Sequence, residues 1–258
     1  IVHFHGYDAY RDDILGSYGK HYREMFAVAK AIVAVSVDMT RQLNSLGAPS
    51  EKLHTYIYGV DAAVFQRKEL PDGPVIFGFV GRFVEKKSPL LLIQAFARVH
   101  AQVPDARLRC VGDGELLAAC QKLAADLGIS AAVDFLGALP SVDVANFLGE
   151  CHVVLLPSQR SASGDSEGTP LVLLEAAMTG RAVVATHHGG ISDVVFDGKT
   201  GLLVPQGNLE GFAEAMLTLA TRPDLRMEFG KNAAAHAELE FSASIYHHKL
   251  WHLIQDLV

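Results

Sequence analysis

A doubly wound α/β fold, one parallel sheet covered by helices on both faces, is predicted by three observations. From Val75 onward, short apolar runs alternate strictly with longer helical patterns. The runs are apolar at nearly every position rather than every second one, as strands buried on both faces require. Half of the 258 residues are hydrophobic, enough for one large core or two modest ones.

The strands are read at residues 75–80, 107–111, 133–136, 153–156, 182–185 and 202–204, and most lead through a turn residue into a helix. Helical patterns follow at 89–100, 116–127, 142–148, 170–179 and 209–221. Ahead of this unit lie a strand at 1–4, a helical stretch at 21–29, a strand at 31–35, a helix at 39–46 and a strand near 53–57. That set is too small for a complete doubly wound domain. Pro71, Asp72, Gly73 and Pro74 form a turn-rich linker, and the chain is helical again after Arg222 and Pro223, ending in a helix at 244–257. Three units are expected: residues 1–70, the remnant of a first Rossmann-like domain; residues 71–240, a complete ligand-binding domain; and residues 241–258, a helix packing back toward the first. The opening on Ile1, directly in a strand and without Met, predicts that the sequence is the later part of a longer chain lacking about 100 or more residues of its first domain.

Composition excludes several classes of function. A formal charge of -7, with no Lys/Arg block and no aromatic-basic interleaving, argues against nucleic acid as a partner. Cys110, Cys120 and Cys151 are odd in number and not closely paired, which predicts reduced thiols in a cytoplasmic protein. No stretch approaches the ~20 apolar residues of a membrane span.

Ligands of doubly wound domains gather at the carboxyl ends of the strands, and the informative residues stand there. After the first strand come Gly81, Arg82, Lys86 and Lys87, two cations or more where an anion such as diphosphate would sit. The Gly-x4-Gly-Lys-Ser/Thr spacing of a P-loop is absent, which counts against a mononucleotide kinase. Gly112, Asp113 and Gly114 lack the third small residue of a dinucleotide fingerprint, so they read as a tight turn and an NAD enzyme is disfavoured.

Glu167 and Glu175, separated by seven residues, flank a helix entrance. Thr169 is read as the N-cap and Pro170 as the first helical residue. With no Glu or Gln three positions after Thr169, no capping box closes the helix, and its free amides and positive dipole end suit a phosphate. Glu167, just outside, would repel phosphate and so suits the hydroxyls of a neighbouring sugar. Glu175, inside the helix among apolar residues, needs polar groups facing it, and ribose hydroxyls would serve. Cations for diphosphate and carboxylates for hydroxyls describe the two ends of a nucleotide sugar. His187 and His188, with His3 and His5, lack the spacing of a metal site, and no metal or other cofactor is expected.

The chain resembles glycosyltransferase family 4, the retaining nucleotide-sugar transferases of the GT-B fold, and most of all their exopolysaccharide members of the colanic-acid type. The resemblance runs along nearly the whole chain. It is carried by His5 to Asp8, Ala34 to Ser36, Gly59 Val60 Asp61 with Phe65, Val80 Gly81 Arg82 with Lys87, Val111 to Gly114, Phe135 to Gly137, Leu156 to Ser158, the two glutamates with Gly168 and Pro170, Gly189 Gly190, and Gly198 to Val204. It implies that Arg82 and Lys87, beside Gly81 and Gly112, hold the donor diphosphate, that Glu167 meets the donor sugar and that Glu175 meets the ribose. Backbone groups from Gly168 through Thr169, Pro170, Leu171 and Val172 would meet the phosphates, those near Leu136 the base, and His5 the donor sugar or the acceptor. Two positions depart from the family pattern: Asp193 stands where many members have Glu, and Tyr58 where Asn is commoner.

The resemblance implies transfer of a sugar to an acceptor hydroxyl of a glycan or a lipid-linked glycan, with retention and no protein nucleophile; the whole enzyme could then sit peripherally on the inner face of the membrane. Two alternatives stay open. A nucleotide-sugar epimerase of the same fold would change the sugar without an acceptor, and a nucleotide-sugar-binding module would not turn over. A retaining glycosidase, with two carboxylates flanking one bond at ~5 Å, is disfavoured by the position of Glu175 inside a helix.

Overall fold

A computed structural model describes all residues 1–258 and resolves two lobes built on parallel sheets. The small lobe holds three strands, β1 (Val2–Phe4), β2 (Ile32–Ala34) and β3 (Leu53–Thr55), in the order β1-β2-β3, with helices α1 (Tyr7–Tyr10), α2 (Asp12–Val28) and α3 (Val37–Ser45). Its core is Phe4, Phe26, Ile32, Ala34, Met39 and Leu43 with their neighbours. Helix α2 starts nine residues earlier than the 21–29 pattern suggests. Gly16 and Gly19 dilute the signal, each costing about 1 kcal/mol against Ala, while Asp12 and Asp13 complement the positive end of the helix.

The large lobe follows the predicted alternation: β4 (Ile76–Val80), α4 (Pro89–His100), β5 (Arg107–Val111), α5 (Leu117–Asp126), β6 (Val133–Phe135), α6 (Ser141–Glu150), β7 (Val153–Leu156), α7 (Leu171–Met178), β8 (Ala182–His187), β9 (Gly201–Pro205), α8 (Leu209–Thr221) and α9 (Pro223–Glu240). All neighbouring strands are parallel, in the order β6-β5-β4-β7-β8-β9. From β4 the chain builds outward through β5 and β6, crosses back, and builds the other way through β7, β8 and β9. The boundary between β4 and β7 is therefore the topological switch point, where a crevice opens at the carboxyl ends of the strands. Helix α4 packs against α5 and α8, and α7 against α6 and α9, so both faces are covered around a core containing Phe77, Phe79, Phe96, Leu155 and Phe212. Val60 and Phe65 are buried in this larger core, ahead of the linker. The three cysteines are buried and unpaired.

The last helix, α10 (Ala243–Asp256), returns to the small lobe. Leu253 packs on Ala31 and Val33 of the small lobe, and Lys30 Nζ donates to the Leu257 carbonyl at 2.5 Å. No helix is long and apolar enough to cross a membrane.

Candidate functional site

Four loops meet at the switch point, and glycines let them meet. Gly112, at φ 132°, lies so close to the Gly81 carbonyl that any Cβ would overlap it. That joins the β5 loop to the β4 loop, with Phe83 N donating to Asp113 O at 2.8 Å and Leu116 N to Phe83 O at 2.9 Å. On the other side, a Cβ on Gly190 would overlap the Gly168 carbonyl, and one on Gly168 would lie 2.5 Å from the His5 carbonyl. The loops after β7 and β8 thus press against each other and against the end of β1. Val37 N donates to Asp193 Oδ2 at 2.7 Å, a further bond between the lobes.

Lys86 and Lys87 do not project into solvent as loop charges commonly do. Gln159 N donates to Lys86 O at 2.8 Å, drawing the β4 and β7 loops together. Lys86 Nζ then pairs with Asp165 at 3.0 Å and Lys87 Nζ with Glu167 at 2.7 Å, and neither lysine side chain is more than 13% exposed. Gly81 leaves room for the methylene stem of Lys87. Ser158 donates to the same Glu167 oxygen at 2.8 Å, and the Glu167 N–H donates to His188 Nε2 at 3.3 Å. Burial alone would raise the Glu167 carboxyl, but Lys87, Lys86 and Ser158 outweigh it and hold the group below the ordinary carboxylate range. Burial lowers the His188 pKa, and the neutral ring that accepts from Glu167 carries its proton on Nδ1. Arg82, by contrast, is exposed, and its guanidinium has no ion pair or hydrogen bond within the protein.

The helix entrance differs from the sequence reading. Helix α7 begins at Leu171, with Pro170 as its N-cap. Thr169 does not cap: its buried hydroxyl donates to the Val35 carbonyl of the small lobe, a partner distant in sequence that a local motif cannot reveal. The consequence for a ligand is the same. No side chain caps α7, and the amides of Leu171 and Val172 find no acceptor in the protein. Leu171 and Glu175, four residues apart, are the only positions of α7 that are not buried. They form one stripe running from the entrance, with Glu175 about 6 Å along the axis from Leu171. The Glu175 carboxyl has no hydrogen-bond or ionic partner, and burial pushes it up to about 7.

Beside Arg82 opens a cleft of about 530 Å3 lined by Val80, Gly112, Asp113, Ala138 and Leu139. Leu136, two residues before Ala138 of the cleft wall, is 38% exposed. Its N–H is spent on the Cys110 carbonyl at 2.8 Å, and no donor in the protein takes its own carbonyl. His5 stands at the end of β1, its ring stacked between His3 and Tyr58, and its Nδ1 bonds the Tyr58 hydroxyl at 2.5 Å.

Tyr58, Ser158 and His188 are therefore parts of the site that the sequence did not assign. Ser158 stands just past a strand end, a position that could have pointed to it. Tyr58 and His188 act through partners 53 and 21 residues away, beyond any local pattern.

Comparison with known proteins bears on the family and the fold. The family model for glycosyl transferases group 1 matches residues 61–236. The amylovoran biosynthesis glycosyltransferase AmsK of Erwinia amylovora is 30% identical over 260 residues, covering 100% of this chain and 64% of its own length. The putative colanic acid biosynthesis glycosyltransferase WcaL of Escherichia coli K12 is 30% identical over 257 residues, covering 98% of this chain and 63% of its own. This chain thus spans just under two thirds of each. Among solved structures, Anabaena HepE in complex with UDP and glucose superposes with a TM-score of 0.85 at 20% identity, over 98% of this chain and 70% of that one. Sucrose-phosphate synthase from Thermosynechococcus elongatus superposes at 0.82 and 22% identity, over 94% of this chain and 62% of that one. The fold is that of GT-B glycosyltransferases.

Proposed function

The chain belongs to the group 1 glycosyl transferases, and from that membership we propose that its site holds a nucleoside-diphosphate sugar and that the whole enzyme transfers the sugar to an acceptor hydroxyl with retention of anomeric configuration. A hexose is the expected sugar, and an exopolysaccharide or lipid-linked glycan the expected acceptor. The observation that carries this reading is the arrangement at the switch point: two buried lysines and an exposed arginine beside an uncapped helix entrance, with one carboxylate on either side.

The diphosphate sits at the free Leu171 and Val172 amides, within reach of Arg82 and Lys87. The base enters the cleft near the Leu136 carbonyl, and the ribose lies along the Leu171–Glu175 stripe. The sugar then points toward Glu167 and, across the lobes, toward His5, whose ring Tyr58 orients. As the bond from the anomeric carbon to phosphate breaks, negative charge grows on the diphosphate. Lys87, Arg82 and the helix entrance stabilise it in a place partly closed to water. Glu167 keeps Lys87 in position and offers the sugar a fixed acceptor of hydrogen bonds. The leaving phosphate takes the proton of the acceptor hydroxyl, so the reaction needs neither a protein nucleophile nor a metal.

Relatives named for amylovoran and colanic acid biosynthesis favour polysaccharide assembly as the setting. This favours a transferase over an epimerase or a binding module. Arg82→Ala is expected to lower turnover about 10²- to 10³-fold, the usual loss for one preorganised charge-stabilising group. It should leave the melting temperature unchanged, because Arg82 is exposed and unpaired. Assay of the full-length enzyme with a nucleotide-sugar panel, with the product anomer read by NMR, checks both rate and stereochemistry. Near-normal turnover in Arg82→Ala would remove it from the site, and an inverted product would refute retention.

A further inference from the structure

A second cavity, of about 570 Å3, opens at the opposite, amino ends of the strands. Its walls are the stretch running into the Pro71–Pro74 turn (residues 67–73), His152 just before β7, Gly180 just before β8, and the first turns of α9. This volume is in the range that encloses a small metabolite.

The charges around it are unbalanced. Arg67, Lys68, Arg226 and Lys231 line the cavity, against Glu69 and Asp72. Lys68 is engaged elsewhere, donating to Asn146 Oδ1 at 3.1 Å. Arg67 and Lys231 have no ion pair and no hydrogen bond to satisfy them. Asp224, in the first turn of α9, is held by Arg222 at 2.6 Å. No side chain caps the α9 entrance, an 18-residue helix whose positive end faces this side.

Arg226 is the decisive residue. Only 8% of it is exposed, yet it lines the cavity. Its Nη1 donates to the Leu219 and Ala220 carbonyls at 2.5 and 2.9 Å, while its Nε has no partner at all. Behind it Arg181 is fully buried, donating through Nη2 to the carbonyls of Lys68 and Glu69 at 2.7 and 3.0 Å, and its Nε is also unpartnered. A buried guanidinium with an unmet N–H is costly unless an acceptor arrives, and no carboxylate of the protein supplies one.

We propose that this cavity is an anion site for a small phosphate-bearing metabolite, held by Arg226, Arg67 and Lys231 at the α9 entrance. It is distinct from the donor site, which lies at the other end of the same strands.

The test is thermal unfolding of the 258-residue chain in inorganic phosphate and pyrophosphate at constant ionic strength, on the parent, Arg82→Ala, and the double variant Arg67→Glu with Lys231→Glu. The expected result is a saturable stabilisation that persists in Arg82→Ala and disappears in the double variant. Without anion, the double variant should melt within about 2 °C of the parent, since both residues lie at the surface without partners. Should the double variant fail to fold, Lys231→Ala alone is expected to weaken phosphate binding several-fold. No saturable shift in the parent would overturn the proposal. So would a shift lost in Arg82→Ala and kept in the double variant, because phosphate would then be binding only at the donor site.

Discussion

Replacing Lys87 by methionine is expected to destabilise the protein by about 3–5 kcal/mol, because it strands Glu167 as an unpaired buried carboxylate. Turnover should fall at least 10²-fold in the same variant, since a cation that faces the leaving diphosphate is lost. The two effects have different origins and can be separated. In the double variant Lys87→Met with Glu167→Gln, Ser158 still has an oxygen to donate to, and no buried charge is left alone. Stability should return to within about 1 kcal/mol of the parent, whereas turnover should not recover. Urea unfolding with a parallel activity assay reads both. A double variant as unstable as Lys87→Met would mean that the pair is not what holds these loops together.

The pair also sets an acid limit. The folded-state carboxyl of Glu167 lies below its unfolded value, so its contribution is present above the unfolded pKa and is lost as pH falls through the folded one. Removing Glu167 should flatten that part of the acid-unfolding curve.

Glu175→Gln should do the reverse: stabilise the protein while damaging its function. The carboxyl ionises near pH 7 in the folded protein against an ordinary value near 4.5. The native state therefore binds the proton more tightly than the unfolded chain, and stability falls as pH rises from about 4.5 to about 7. Above that window the full penalty of about 3 kcal/mol is present. Glutamine removes it, so Glu175→Gln should be more stable than the parent at pH 8 and about equal to it at pH 4. A carboxylate kept at such a cost on the only open stripe of α7 fits a binding role, in which ligand hydroxyls supply the missing partners. A variant no more stable than the parent at pH 8 would mean that a partner already compensates Glu175.

The alternation of apolar runs and helical patterns was enough to read the sheet, because strands buried on both faces leave unbroken apolar runs and their length and flanking turn residues separate them from buried helix segments. That a ligand would gather at the carboxyl ends of the strands followed from the same pattern, and with it the loops holding Arg82, Lys87 and Glu167; the strand order that makes the β4–β7 boundary the switch point did not. What could not be read was the local state of those groups. Thr169 looks like an N-cap until the Val35 carbonyl is seen beside it. Lys86 and Lys87 look like solvated charges until Asp165 and Glu167 come within 3.0 and 2.7 Å. Tyr58 departs from the family pattern at its position, and its link to His5 exists only once the small lobe has folded. In each case the deciding partner is remote in sequence, so propensity and spacing carry no trace of it.

In the proposed function Glu175 and Glu167 grip opposite ends of one nucleotide sugar. Calorimetric titration of UDP, GDP and their glucose or mannose conjugates tests it on the parent, Glu175→Gln and Glu167→Gln, using whichever nucleotide binds. Glu175→Gln should weaken the bare diphosphate and the sugar conjugate by the same factor, about tenfold or more. Glu167→Gln should weaken the conjugate by a larger factor than the bare diphosphate, whose affinity changes only through Lys87 losing its ion-pair partner, so the ratio of the two affinities changes. The account is contradicted if Glu167→Gln shifts both ligands equally, or if Glu175→Gln shifts neither.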